Sequence, residues 1–165
     1  MILTPHILVG ATIGAKIHNL GLIIILSILF HFVLDKIPHW DYSALKQIKE
    51  FKKNKKIASI FPLFIKMAID GLTGLLIFLI ALWNKDIFSS NFWPFIFLGI
   101  FISVLPDIIL GSSIMFLPKK ISKAYNNFHE KYLHFKHKEK EGEITFLGLI
   151  TQFLVIIICV FLLNL

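Results

Sequence analysis

The segment from His31 to Asp41 places imidazole and carboxylate side chains close together at the end of an apolar run. His31 and Asp35 are four positions apart, so a helix would put them on the same face. Pro38 lacks an N–H group and its ring clashes with the preceding turn, which predicts that the helix ends there and that His39 and Asp41 follow in a turn. Side chains of these types at this spacing can bind a divalent metal ion or act as a general acid–base pair.

Apolar segments long enough to cross a bilayer recur along the 165-residue chain, and 56% of its residues are hydrophobic. This composition indicates a polytopic membrane protein rather than a soluble domain. We expect an all-α fold, a helical bundle with about four transmembrane helices that forms a single integral membrane domain over residues 1–165. The predicted spans are Leu20–Ile37, Ile57–Trp83, Phe92–Leu117 and Ile144–Leu163.

A short helix is predicted before the first span. Thr4 and Pro5 have the residue types expected at an N-cap and at the first helical position. Gly10 and Gly14 form a small-xxx-small pattern, which lets another helix approach closely. A turn near Asn19 would pair this helix with the first span as an antiparallel hairpin.

The distribution of charge predicts the orientation in the membrane. The formal net charge is +7, and the lysines are concentrated at positions 46–56 and 119–140, whereas the loop at 84–91 carries few charges. By the positive-inside rule both basic segments lie in the cytoplasm, which we take to be that of a prokaryotic cell with the protein in its inner membrane. The expected partners are membrane lipids with anionic headgroups, not nucleic acid. Residues 129–137, which include His134, are predicted to form an interfacial amphipathic helix.

Two aspartates interrupt predicted spans at similar depth. Asp70 and Asp107 would each cost several kcal/mol if they faced lipid, so we expect them to face the interior of the bundle. Pro106 precedes the second of them and is expected to open a local irregularity in the helix. The predicted hairpin would bring His6 close to His31 and Asp35. The resulting polar site would open toward the cytoplasm.

These positions define the candidate site. Histidine and aspartate without cysteine suit Zn²⁺, Mn²⁺ or Mg²⁺ and disfavour an iron–sulfur centre. A bound ion would also relieve the repulsion between carboxylates that share one interior site. The candidate metal ligands are His6, His31, Asp35, Asp41, Asp107 and His134, and the candidate general bases are Asp70 and His39.

Three short motifs resemble those of a known family. They are Thr4-Pro5-His6, His31-x-x-x-Asp35-x-x-Pro38 and Leu105-Pro106-Asp107, and together they resemble the YdjM-like family of small inner-membrane metal-dependent hydrolases. The resemblance implies about four transmembrane helices. It also implies metal-ligand roles for the histidines and aspartates of the three motifs. Ile109 and Leu110 stand where the family motif has its second aspartate and a histidine.

These observations predict a membrane-bound metal-dependent hydrolase that acts on a lipid-like phosphoester or acyl substrate, with the basic segments gathering an anionic substrate. An alternative from another class is a transporter or metal-binding membrane protein that uses the same groups to bind a cation or relay protons. A third is a structural membrane subunit whose polar residues only set the register of its helices. Metal analysis of the purified protein, with His31→Ala and Asp35→Ala as controls, is the most informative single test.

Overall fold

The computed structural model describes residues 1–42, 44–83, 91–128 and 144–165. The described residues are 83% helical and include no strand, which confirms the all-α prediction. A single 3-10 turn over Ile57–Ser59 precedes the fourth helix. The helices are α1 (Leu3–Lys16), α2 (Leu20–Lys36), α3 (Ala44–Asn54), α4 (Phe61–Ala81), α5 (Trp93–Phe116), α6 (Lys119–Phe128) and α7 (Phe146–Asn164).

Among the described residues, three helices are long and apolar enough to cross a membrane, namely α4, α5 and α7. Their outer faces expose large apolar side chains, such as Leu72, Phe97 and Phe153, which suit contact with lipid. Helix α2 has 17 residues and is about 25 Å long, shorter than the roughly 30 Å hydrocarbon core. The fourth span therefore stays a prediction. The predicted amphipathic helix at 129–137 lies outside the described residues.

Helix α1 lies in the middle of the bundle and packs against α2, α4, α5 and α7. Because it is surrounded, its small residues decide how close its neighbours come. A Cβ atom on Gly10 would lie 2.4 Å from the carbonyl oxygen of Gly99, and one on Gly14 would lie 2.3 Å from that of Phe95. Only glycine permits these approaches of α1 to α5, as the small-residue pattern predicts.

The turn between α1 and α2 forms as predicted. The side-chain oxygen of Asn19 accepts a hydrogen bond from the backbone N–H of Leu22 at 3.1 Å and caps the start of α2. The two helices then pack against each other. The start of α1 consequently meets the end of α2, and this places His6 beside His31 and Asp35.

Two local predictions are wrong. Helix α1 begins at Leu3, its N-cap is Ile2 without a side-chain hydrogen bond, and the Thr4 hydroxyl bonds to α4 instead of capping its own helix. Helix α5 also continues through Pro106 without interruption. A bilayer tolerates a proline at such a position when neighbouring helices cover the backbone groups that it frees, and the buried Pro106 lies on the inner face of α5.

The segment after α2 is held between α7 and α3. The hydroxyl of Thr151 donates to the carbonyl oxygen of Pro38, and the side-chain amide of Gln152 donates to that of Trp40 at 2.8 Å. The basic segment that follows forms α3, whose buried Ile48 packs in a second core with α4 and α5. These contacts place the end of α2 and the basic helix α3 at the same end of the bundle.

Candidate metal centre

His31 and Asp35 form the core of the site on the last two turns of α2. The imidazole Nε2 of His31 lies 3.2 Å from Asp35 Oδ2, and both side chains are completely buried. The four-residue spacing therefore produces the shared face that the sequence predicts. An imidazole and a carboxylate in an apolar bundle need compensating partners, because burial without them is costly.

His6 joins this pair from α1. Its Nε2 lies 3.3 Å from Asp35 Oδ1, and its ring stacks on that of His31 with the centroids 4.4 Å apart. One carboxylate thus contacts two imidazoles through its two oxygens, which confirms that the hairpin brings His6 to the pair. The amino group of Met1 also lies 2.9 Å from Asp35 Oδ1.

Asp107 adds a second carboxylate from α5. Its Oδ1 lies 3.9 Å from Nε2 of His31, and its side chain is 26% exposed. Ligand atoms of His6, His31 and Asp107 lie within 4.8 Å of one another and could hold a metal ion. Because the other members are buried, Asp107 is the side on which this cluster can be reached.

The imidazole of His31 is oriented as that of a metal ligand would be. The Nδ1 of His31 lies 2.7 Å from the carbonyl oxygen of Ser103. A carbonyl can only accept, so Nδ1 carries the proton and Nε2 faces Asp35 with its lone pair in the neutral ring. A backbone carbonyl on the distal nitrogen is a common way to orient a metal-binding histidine.

The nitrogens that face the cluster contact a carboxylate without well-aligned hydrogen bonds. In the described part of the chain, Nε2 of His6 and Nε2 of His31 contact the Asp35 carboxylate at 3.3 and 3.2 Å but are not aligned for hydrogen bonds to it. Two ligands at about 2.0–2.1 Å from one ion, at a tetrahedral angle, would be about 3.4 Å apart. The distances of 3.2 and 3.3 Å from the imidazoles to Asp35 are compatible with this separation, and Asp35 Oδ2 is the oxygen that Met1 does not contact. Together with the close ligand atoms of His6, His31 and Asp107, this donor set suits a metal ion.

Comparison of the chain with protein-family models, with curated proteins and with solved structures finds no match. The resemblance to the YdjM-like family therefore stays a prediction that three short motifs support. What the site can do has to be inferred from its own geometry.

Other predicted site residues lie elsewhere. His39 is buried in the turn after α2 and its Nδ1 donates to the carbonyl oxygen of Ile37 at 2.8 Å. Asp41 and Asp70 are, like His39, outside the group whose ligand atoms lie within 4.8 Å of one another. His134 lies outside the described residues. Their roles as ligands or bases stay predictions.

Two residues that sequence reasoning missed complete the surroundings of the site. Ser103 donates its hydroxyl to the carbonyl oxygen of His6 at 2.8 Å, in addition to accepting from His31. Its position four residues before Asp107, on the same helical face, is the signal that could have identified it. Tyr42 contacts Asp70 and the first turn of α1. A lone tyrosine after a turn carries no sequence signal of that kind.

Proposed function

We propose that this protein is a membrane-bound hydrolase that depends on a divalent metal ion. The observation that carries the proposal is the buried pair of imidazoles, His6 and His31, whose ligand atoms lie within 4.8 Å of that of Asp107 and whose Nε2 atoms lie 3.3 and 3.2 Å from Asp35. A divalent ion bound there would lower the pKa of a water molecule and polarise an oxygen of the substrate. The proposed ligands are His6, His31, Asp35 and Asp107.

The donor set supports particular metals. Two imidazole nitrogens favour Zn²⁺, and two carboxylates also suit Mn²⁺ or Mg²⁺. The proton on Nδ1 of His31, held by the Ser103 carbonyl, keeps Nε2 directed at the cluster. Asp107, as the partly exposed member, is the ligand next to which a substrate would enter.

The basic helices support an anionic, lipid-like substrate. Lys46, Lys49 and Lys53 of α3 are exposed, as are Lys120 and Lys123 of α6. Both helices pack against α5, the helix that carries the exposed edge of the metal cluster. A basic surface of this kind attracts anionic headgroups to the membrane surface. A phosphoester or an acyl ester with an anionic headgroup is therefore the proposed substrate class.

Metal analysis of the full chain in detergent tests this proposal. The protein would be stripped with a chelator, equilibrated with Zn²⁺, Mn²⁺ or Mg²⁺, and freed of unbound ion. We expect about one ion per chain in the wild type and none retained in His31→Ala or Asp35→Ala. His18→Ala is the matched control, because His18 is exposed and stacks on Phe92 just past the other end of α1.

Hydrolysis is then measured on the metal-loaded protein with a nitrophenyl phosphodiester and a nitrophenyl acyl ester. Turnover of either probe that disappears in His31→Ala but not in His18→Ala is the expected result. A wild type that retains no ion overturns the metal centre. An ion bound without turnover of either probe overturns the hydrolase and supports the alternative of a cation-binding or transporting protein.

A further inference from the structure

Asp70, in the middle of α4, is engaged by the first turn of α1. Its carboxylate accepts hydrogen bonds from the backbone N–H of Thr4 at 3.1 Å and from the Thr4 hydroxyl at 2.6 Å. The phenol of Tyr42 donates a third hydrogen bond to the same carboxylate. A charged acceptor of this kind makes stronger hydrogen bonds than a neutral one. Three donors leave this carboxylate little capacity to act as a base.

Tyr42 ties the same turn to α3. Its phenol oxygen accepts from the backbone N–H of Leu3 at 3.0 Å, and its carbonyl oxygen accepts from the Gln47 side chain at 3.1 Å. Burial raises the pKa of the Tyr42 phenol, and the hydrogen bond to Asp70 raises it further. The phenol therefore stays protonated at physiological pH and can donate.

These bonds replace the missing cap of α1. The first N–H groups of a helix have no partner within it, and Ile2 supplies no side-chain cap. The N–H groups of Leu3 and Thr4 are satisfied instead by Tyr42 and Asp70. The negative carboxylate also lies at the positive end of the α1 dipole, where it is stabilising.

His6 follows two residues after Thr4 in the same turn. Its carbonyl oxygen is held by the Ser103 hydroxyl at 2.8 Å, so the turn is anchored on both sides. Helix α4 also comes close to this turn, since a Cβ on Gly74 would lie 3.1 Å from Thr4 Cα. The position of the His6 ring against His31 depends on this anchoring.

We propose that Asp70 and Tyr42 are a positioning pair that holds the first turn of α1 so that His6 completes the metal cluster. The inference rests on the proposed metal centre. It assigns Asp70 a structural link to the site in place of the general-base role predicted from the sequence. Metal ligands must lie within about 0.2 Å of their ideal distances, so a small shift of α1 would lower affinity.

Thr4→Val and Tyr42→Phe test the pair, with Thr12→Val as the matched control. Thr12 is also a buried threonine of α1, but its hydroxyl donates to the carbonyl oxygen of Leu8 at 2.7 Å and lies beside Cys159 of α7, away from Asp70 and Tyr42. We expect Thr4→Val and Tyr42→Phe to raise the Kd for Zn²⁺ by about 10-fold or more, as loss of supporting hydrogen bonds around metal ligands does. Thr12→Val should leave the Kd unchanged. Thr4→Ser should keep the wild-type Kd, because serine retains the hydroxyl that donates to Asp70.

Two spectroscopic measurements separate positioning from loss of stability. The visible spectrum of the Co²⁺-loaded protein should change in Thr4→Val, because the ligand geometry changes. In the metal-free protein, the stacking of His6 on His31 should shift the His6 ring protons upfield. NMR of histidine-labelled protein should show this shift to be reduced in Thr4→Val and retained in Thr12→Val.

The outcomes are distinguishable from failure of the metal centre. If the wild type binds no ion, the metal centre fails, and the metal-free NMR measurement still decides whether Thr4, Tyr42 and Asp70 position the ring. If the ion is bound and neither Thr4→Val, which removes a donor to Asp70, nor Tyr42→Phe changes the Kd, the Co²⁺ spectrum or the His6 shift, the positioning pair is overturned while the metal centre stands.

Discussion

Replacing Gly10 by alanine should separate α1 from α5 and disturb the metal cluster together with the fold. The added Cβ would lie 2.4 Å from the carbonyl oxygen of Gly99 and 2.8 Å from Cβ of Ser103. An ordinary carbon–oxygen contact is about 3.3 Å. The helices would therefore have to separate by about 0.9 Å at this crossing, since backbone atoms cannot rotate away as a flexible side chain can.

Both stability and metal binding should respond. Overpacking of this kind costs about 1–3 kcal/mol, which corresponds to a fall in Tm of roughly 2–12 °C for a chain of this size. His6 lies one helical turn before Gly10 and is bonded to Ser103 on the opposite helix. A displacement of about 0.9 Å exceeds the tolerance of about 0.2 Å for ligand distances. We expect the Kd for Zn²⁺ to rise by at least about 10-fold.

Gly111→Ala is the control on the same helix as Gly99. A Cβ at Gly111 would meet no atom within 4 Å, so the change should be neutral or stabilising by up to about 1 kcal/mol through helix propensity. Thermal unfolding and Zn²⁺ titration of both variants in the same detergent give the comparison. Equal Tm and Kd values for Gly10→Ala, Gly111→Ala and wild type would refute the close crossing as the determinant of the site.

Three further outcomes are expected. Ser103→Ala should lower the free energy of unfolding by about 0.5–1.5 kcal/mol, because it removes the hydroxyl that donates to the His6 carbonyl oxygen in addition to the helix's own hydrogen bond; an unchanged denaturation midpoint would contradict this. Gln152→Leu should speed hydrogen exchange in the turn after α2 and leave exchange in α5 unaffected, since it removes one link from α7; equal protection of that turn in both proteins would speak against the link. Lys52→Cys should react with a membrane-impermeant maleimide only from the cytoplasmic side, with the buried Cys159 unreactive; reaction from the outer face alone would reverse the predicted orientation.

The helices of this protein could be predicted closely from the sequence, because long apolar runs ended by lysine, proline or asparagine are strong local signals. The predicted segment Phe92–Leu117 corresponds to α5 at Trp93–Phe116, and Leu20–Ile37 corresponds to α2 at Leu20–Lys36. The pairing of His31 with Asp35 also follows from spacing alone, since residues four apart on a helix share a face.

Which side chains of different helices contact one another depends on how each helix is rotated about its axis and how deep it lies in the bundle. The periodicity of apolar residues specifies neither. Helix α1 is buried on nearly every side and α5 is apolar throughout, so neither pattern shows which face meets which neighbour. The depth argument placed Asp70 and Asp107 together, yet the tertiary structure directs Asp70 to Thr4 and brings Asp107 to His31. The close approach of α1 to α5 at Gly10 fixes the relative height of these two helices, which brings Asp107 of α5 to the level of the imidazoles. Asp70, on α4, is held apart from them by its hydrogen bonds to Thr4 and Tyr42.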